Sequence, residues 1–252
     1  MESLPLIIKN SENSLDALLL VNDFVVQEKP YELPSFVWDG ESLYWQDAEN
    51  QKLKVDFASP KQLWRFSKLN KAQEPILRAL KWKSNDPQSV WDLTAGLGRD
   101  GGMLAYSGFT VTFFERNPTL QILLSESIHS LENELPEMAA RITLERRSSI
   151  DYLKAVLNDP EIELPDNCYM DPMYPHRKKS ALVKLDLRMV RDLVGDDPDS
   201  SELLAVALEL LKSDRGLQRV VVKRPAKSEY LGDFKPSYSV DAPNTRLDVY
   251  VP

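Results

Sequence analysis

From residue 88 onward, short apolar runs alternate with stretches of helical spacing. Residues 89–93 read as a strand, glycines follow, and a helix runs from about 100 to 106. Residues 109–115 are apolar enough for a strand buried on both faces. Asn117-Pro118 is a helix start, with Asn as N-cap and Pro in the first turn. Ile122, Leu123, Ile128 and Leu131 line the inner face of that helix. Further strands are expected at 142–145, 167–170, 218–223 and 247–251, and helices at 150–157 and 202–212. Such alternation specifies an α/β fold, with a mostly parallel sheet covered on both faces.

The first 58 residues follow another pattern. Two β-prone runs between Ser35 and Trp45 flank Asp39-Gly40, a hairpin turn signal, and 52–57 reads as a third strand. Between 60 and 82, Leu63, Phe66, Leu69, Ile76, Leu77 and Leu80 recur at helical spacing. Pro75 interrupts them, so two helices or one kinked helix are expected. The chain thus divides into a small, mainly β unit (1–58), a helical connector (59–87) and an α/β domain (88–252).

Composition narrows the class. With 42% hydrophobic and 28% charged residues among 252, the chain is neither disordered nor collagenous. It contains no apolar run of about 18 residues, and its opening residues lack the basic and apolar regions of a signal peptide. Cys168 is the only cysteine, and with His129 and His176 the only histidines no zinc-ligand spacing exists. A cytoplasmic protein without membrane or metal is expected.

The net charge of −8 argues at first against a polyanionic partner. Its distribution changes that reading. Residues 1–50 hold ten acids and two bases, so the remainder is balanced. Within it, 61–83 carries seven bases and one acid, and 171–191 carries six bases and two acids. Binding to phosphate follows local fields, so nucleic acid stays open; solvated helix faces are the plainer explanation of either patch alone.

Two motifs carry chemistry. The first, Asp92-Leu-Thr-Ala-Gly96-Leu-Gly98-Arg99-Asp100-Gly101, sets a glycine turn between a strand and a helix, with Glu115 19 residues after Gly96 at the end of the next strand. A backbone turn there approaches a ligand closely, and the acid suits ribose hydroxyls. A nucleoside cofactor is implied, but NAD and S-adenosylmethionine sites share this geometry. The second motif, Asp171-Pro172-Met173-Tyr174-Pro175, ends a strand about 75 residues later and favours methyl transfer to a planar amine. Asp171 and the Pro172 carbonyl can accept the amine's hydrogens, and Tyr174 can stack on its ring. Hydride transfer has no use for such a motif.

Taken together, these blocks resemble the RsmJ (YhiQ-type) bacterial 16S rRNA guanine-N2 methyltransferases. The resemblance runs through Asp92–Asp100, Phe114-Glu-Arg-Asn-Pro118, Ser148-Ser149, Tyr169–His176 with Lys179–Lys184, Arg219–Pro225 and Arg246–Tyr250. It implies a Rossmann-like class I S-adenosylmethionine-dependent methyltransferase sheet. Cofactor contacts are implied from Arg99, Asp100, Glu115, Arg116, Ser148, Ser149 and Asp171, beside Gly96 and Gly98 of the turn. The substrate implied is 16S rRNA or the small ribosomal subunit. Upstream the chain departs from the family: residues 63–73 lack the glycines of its arginine- and glycine-rich loop and are helix-prone.

RNA is expected to meet Arg65, Lys68, Lys71, Arg177, Lys178 and Lys179, with the acidic first fifty residues facing away. Lys223-Arg224-Pro225 ends a strand at the ligand edge and either touches RNA phosphate or sits in solvent. His176 reads as a loop residue, Cys168 as core, and Trp82 and Trp91 as packing. Two rival classes remain, a nicotinamide-dependent oxidoreductase and a non-catalytic RNA-binding module on the same fold.

Overall fold

The computed structural model describes residues 4–9, 24–27, 31–174, 185–195 and 197–252. Arg177, Lys178, Lys179 and His176 lie outside these.

Two sheets organise the described residues. The smaller is built from β1 (Leu4–Ile8), β2 (Phe24–Val26), β3 (Ser35–Trp38), β4 (Leu43–Gln46) and β5 (Lys52–Leu53), in the order β2-β1-β3-β4-β5. The Asp39-Gly40 hairpin forms, with Trp38 opposite Leu43. Gly40 takes a φ of 102° there, a conformation that favours glycine. Of the expected strand at 52–57 only Lys52–Leu53 pairs. Val55 and Phe57 leave the ladder and turn into the core. The parallel pairing of β1 with both β2 and β3 was not foreseen.

The helical stretch divides at Pro75 into α1 (Pro60–Ser67) and α2 (Pro75–Ala79), each opening on a proline whose missing N–H is no loss in a first turn. Next come β6 (Ser89–Asp92), α3 (Arg99–Ser107), β7 (Thr110–Phe114), α4 (Pro118–Glu134), the short α5 (Pro136–Ala139), β8 (Ile142–Glu145), α6 (Ser149–Asn158) and β9 (Asn167–Met170). After them follow α7 (Leu185–Val194), α8 (Ser200–Lys212), β10 (Arg219–Pro225), β11 (Tyr238–Asp241) and β12 (Thr245–Tyr250). The larger sheet has the order β11-β12-β10-β9-β6-β7-β8, parallel from β10 to β8, with β12 antiparallel to β10 and to β11.

Its central strands are buried on both faces, and alternate residues serve different cores. Val90, Tyr169 and Val221 face the layer of α3 and α4, whereas Trp91, Cys168, Met170, Val220 and Val222 face α6 and α8. The first layer also contains Leu6, Phe36, Trp45 and Phe57, so the small sheet shares one core with the large one. Trp91 and Trp82 pack as expected: Trp91 lies edge-on to Phe114 and Tyr152, and the Trp82 indole donates to the Ser107 carbonyl (2.9 Å). The chain's end is fixed by Arg246, which pairs with the fully buried Asp248 (2.8 Å) and donates to the Ser228 carbonyl (2.7 Å).

This order creates the site. The chain runs outward from β6 to β7 and β8, then returns to β9 on the other side of β6. At such a switch point the loops leaving two adjacent strands part and open a crevice at their carboxyl ends. The loops here are the glycine turn after β6 and the Asp-Pro-Met-Tyr turn after β9.

Candidate active site

The two turns are stitched together. Leu93 N–H donates to the Tyr169 carbonyl (2.9 Å), and Asp171 N–H donates to Thr94 Oγ1 (2.7 Å). Between them and α7 lies a cavity of about 380 Å³. Gly96, Arg99, Asp100, Glu115, Arg116, Ser148, Ser149, Asp171, Pro172 and Tyr174 all line it, so residues spread over about a third of the sequence meet there.

The glycine turn is shaped by its own backbone. Gly96 and Gly98 adopt φ of 55° and 65°. At Gly96 a Cβ would have open space before it, the nearest heavy atom being the Thr94 carbonyl oxygen at 3.9 Å, so a ligand can come against bare backbone. Gly98 serves packing instead. A Cβ there would stand 2.6 Å from Phe57 Cζ and 2.8 Å from Leu124 Cδ2. The turn therefore rests on Phe57, whose N–H donates to Ser127 Oγ of α4 (2.9 Å).

Glu115 is buried beneath the turn. Its Oε2 accepts from Gly96 N–H (2.8 Å) and its Oε1 from Asn117 N–H (2.7 Å). Burial raises its pKa, and these backbone donors partly oppose that. Arg116 N–H is a third backbone donor to this carboxylate, which leaves one lone pair for a further donor such as a ribose hydroxyl. Ser148 caps α6, accepting from Asp151 N–H, and thereby sets Ser148 and Ser149 on the opposite wall.

Arg99 and Arg116 lie in the wall, but their guanidiniums are engaged across the cavity. Arg99 pairs with Asp186 of α7. Arg116 bridges Asp197 (2.5 Å) and Asp199 (2.6 Å), and Asp197 also accepts from Met173 N–H (2.9 Å). The two arginines thus fasten α7 and the segment after it over the site. Contact with a cofactor by either is confined to its remaining N–H groups or its backbone.

The end of the cavity at Asp171 also holds a cation. Lys223, at the carboxyl end of β10, places Nζ 2.7 Å from Asp100 Oδ2 and 2.9 Å from Asp171 Oδ2. Asp100 Oδ2 also accepts from the Tyr169 hydroxyl (2.5 Å). Lys223 therefore turns inward to carboxylates, and neither RNA phosphate nor open solvent is its partner. Burial pushes Asp171 up to about 6, with Lys223 opposing and Asp100 adding to the rise. Asp92, buried at the end of β6, is pushed up to about 8 by burial and then by Asp100, against a backbone donor from Thr94. Tyr174 donates from its hydroxyl to the Lys223 carbonyl, and the Arg224 guanidinium lies 4.5 Å from its ring centre. One ring face is thus occupied.

Sequence reasoning missed Thr94 and the acids of 186–199, and it set Lys223 at the ligand edge without its pairing to Asp100 and Asp171. The register Val222↔Met170 sets Lys223 level with Asp171, a signal legible only once β9 and β10 are known to be neighbours.

Of the basic residues expected at RNA, Arg65 and Lys68 are exposed. Lys71 is not free in the same sense: it donates to the Ser107 carbonyl (3.4 Å) and lies over the Trp82 and Tyr106 rings. Burial lowers its pKa.

The donor set fits S-adenosylmethionine. Asp92, Asp100, Glu115 and Asp171 face the cavity, and Lys223 is shared between two of them. Arg99, Arg116 and Arg147 are matched by Asp186, by Asp197 and Asp199, and by Glu145. Arg191 also lines the cavity, and the buried carboxyls Asp92, Glu115 and Asp171 among these acids suit a cationic sulfonium, whose positive charge favours their ionised form.

Comparisons with known proteins agree. A SAM-dependent methyltransferase family model matches residues 20–252. Ribosomal RNA small subunit methyltransferase J of Thioalkalivibrio sulfidiphilus is 43% identical over 201 residues, 79% of this chain and 76% of that protein. The protein of the same name from Alteromonas mediterranea is 39% identical over 208 residues, 81% and 77% of the two chains. Among solved structures, a SAM-dependent methyltransferase from Neisseria gonorrhoeae superposes with a TM-score of 0.74 at 28% identity, covering 98% of this chain and 96% of that one. The oxidoreductase alternative finds no support in these relatives, and the chain belongs to the S-adenosylmethionine-dependent methyltransferases, in the family of the ribosomal RNA small subunit methyltransferase J proteins.

Proposed function

We propose that this protein methylates the exocyclic N2 amine of a guanosine in 16S ribosomal RNA. The observation that carries the reading is the position of Asp171. Its carboxylate lines the same cavity as the glycine turn, and its backbone is bonded to that turn through Thr94. S-adenosylmethionine, when bound, supplies a methyl group already activated on a sulfonium, so the protein needs no nucleophile of its own. Its task is to hold an unprotonated amine in line and exclude water. Such positioning lowers a barrier by about 7–11 kcal/mol in favourable cases.

Gly96, Glu115, Ser148 and Ser149 would hold the cofactor, with Arg99, Asp100 and Arg116 completing the wall. Asp171 and the Pro172 carbonyl accept the amine's hydrogens and stabilise the positive charge that grows on nitrogen during transfer. Tyr174 takes the purine on the ring face opposite Arg224. The extra proton leaves the alkylated amine readily, so no separate base is required. Lys223 keeps Asp171 charged in a buried site. Arg65 and Lys68 bind phosphates. The sequence puts Arg177, Lys178 and Lys179 directly after the catalytic turn, and the same role is proposed for them.

The RNA substrate implies work in the cytoplasm. Among the described residues no helix is long and apolar enough to cross a membrane, and no group of histidine, cysteine or acid side chains is placed to hold a metal.

Purified protein, methyl-labelled S-adenosylmethionine and small subunits from cells lacking the gene test the proposal. Label is expected in a single N2-methylguanosine after nuclease digestion and mass spectrometry. Label on another base or position, or none on RNA, overturns it.

A further inference from the structure

Trp64 is the most exposed large hydrophobic residue among those described, at 62% of its full accessibility. A lone exposed apolar side chain is ordinary. Its setting is not. On α1 the buried Phe66 stacks on Tyr106 of α3, with ring centres 4.7 Å apart and planes 16° apart. That anchor fixes which face of α1 is solvent. Trp64, two positions earlier, projects from the opposite side. Lys61 and Lys68 stand three residues before it and four after, the spacing that aligns side chains on one helix face, and Arg65 lies beside them. All three cations are exposed, and 61–73 contains no acid.

Helix α3, on which this anchor sits at Tyr106, runs back to Arg99 in the cavity wall, about 10 Å along the helix. Glu74, the N-cap of α2, feels Arg65 of the stripe together with Asp100 and Lys223 of the cavity.

From this arrangement, and resting on the RNA reading above, we infer that the solvent face of α1 is a docking platform for single-stranded RNA flanking the target guanosine, with one unpaired base stacked on the Trp64 indole and its neighbouring phosphates held by Lys61, Arg65 and Lys68. An aromatic face offers stacking to any base, and interleaved cations follow the backbone; this combination holds single strands without reading sequence. A duplex offers no free base face for the indole.

The test compares wild type, Trp64→Ala, Trp64→Phe and the double variant Arg65→Ala/Lys68→Ala. Each is titrated with a fluorescent 16S rRNA fragment that the wild type methylates, over a range of salt. Trp64→Ala is expected to lose about 5- to 100-fold in RNA affinity, the effect of removing one base–aromatic stack. Its affinity for S-adenosylhomocysteine and its salt slope should be unchanged. Trp64→Phe should recover most of the loss. The double variant should flatten the slope of log affinity against log salt by about 0.7 for each phosphate it no longer neutralises.

Wild-type RNA affinity in Trp64→Ala overturns the platform. The same outcome with altered sedimentation assigns this face to a protein partner, and equally overturns it. Failure of the wild type to methylate any rRNA fragment defeats the underlying reading instead, so the two failures are distinct.

Discussion

Lys223 Nζ lies 2.9 Å from Asp171 Oδ2 inside the methyltransferase cavity, and the same ammonium is 2.7 Å from Asp100. The pair joins the end of β10 to the turn after β9, and its chemical effect falls on Asp171. A buried carboxyl favours its neutral form, and an adjacent cation favours the charged form. Asp171 stands at about 6 with Lys223 opposing the rise and Asp100 adding to it. Asp92, Tyr169 and Tyr174 complete its surroundings.

The rate of methyl transfer should therefore fall as pH drops through about 6, where Asp171 takes up a proton. Lys223→Met removes the opposing cation, so this acid limb should move upward by about one pH unit or more. Lys223→Arg should restore it in part. Single-turnover rates between pH 5 and 9 check this. A uniformly lower rate with an unmoved limb would reduce Lys223 to packing.

Glu115 underlies both the glycine turn and the proposed ribose contact. Glu115→Ala leaves Gly96 N–H and Asn117 N–H without their partners and removes the acceptor. Binding of S-adenosylhomocysteine should weaken by about 1–3 kcal/mol, the usual consequence of stranding polar groups. Calorimetry decides it, and unchanged affinity removes Glu115 from the cofactor site.

Tyr174 separates base from cofactor. Tyr174→Ala loses the stacking face, and Tyr174→Phe loses only the hydroxyl that bonds the Lys223 carbonyl. The alanine variant should slow single-turnover methylation by about 10-fold or more, the loss of about 1–3 kcal/mol of stacking. Its affinity for S-adenosylhomocysteine should hold, and phenylalanine should retain most of the rate. A wild-type rate in Tyr174→Ala sinks the stacking role.

Gly98 tests how the small sheet supports the site. Alanine there meets a φ of 65° together with Phe57 and Leu124 at under 3 Å. The clash and the backbone strain each cost about 1–3 kcal/mol. A chain of this size then melts roughly 4 °C lower or more, and cofactor binding should weaken as the turn shifts. Phe57→Ala made alongside Gly98→Ala should recover part of the loss, since Phe57 is the nearer neighbour.

Much of the large sheet was legible because its central strands are buried on both faces and its strands are bounded by turn signals. The expected bounds at 142–145 and 167–170 coincide with β8 and β9. Two elements that face water were not legible. Helix α7 carries Asp186, Arg188, Arg191 and Asp192, so it reads as a charge patch although Met189 and Val190 are buried. Strand β11 buries only Val240. The same limit holds in the site. Glycines and the Asp-Pro-Met-Tyr run are contiguous and carry their own signal. Lys223 and Asp100 meet across 123 residues, and nothing local marks either as the other's partner.

Asp92 brings stability and function into opposition. It is buried in the cavity wall with Asp100, Glu115 and Asp171 acting on it, and its pKa stands at about 8. The sign follows from proton binding in the two states. The folded chain holds this proton up to about pH 8, and the unfolded chain releases it near 3.8. Between those values the native state binds more protons, so this group's contribution to stability is full below about 4, declines as pH rises, and is lost above about 8. Asp92→Asn keeps an oxygen for Thr94 N–H and cannot ionise. The variant without cofactor should therefore melt higher than wild type, by a margin that grows from pH 5 to 8. A cationic cofactor reverses the preference, because a positive charge in the cavity favours the ionised carboxyl. Wild-type affinity for S-adenosylmethionine should then rise toward pH 8 more steeply than affinity for the uncharged thioether of S-adenosylhomocysteine. Above about pH 7, where Asp171 is already ionised, the two ligands should share one pH dependence in Asp92→Asn, apart from their common amino group. Thermal melts and calorimetry on the same two proteins measure both halves. Equal slopes for the two ligands in wild type would show that Asp92 does not sense the sulfonium, and that its burial serves the glycine turn alone.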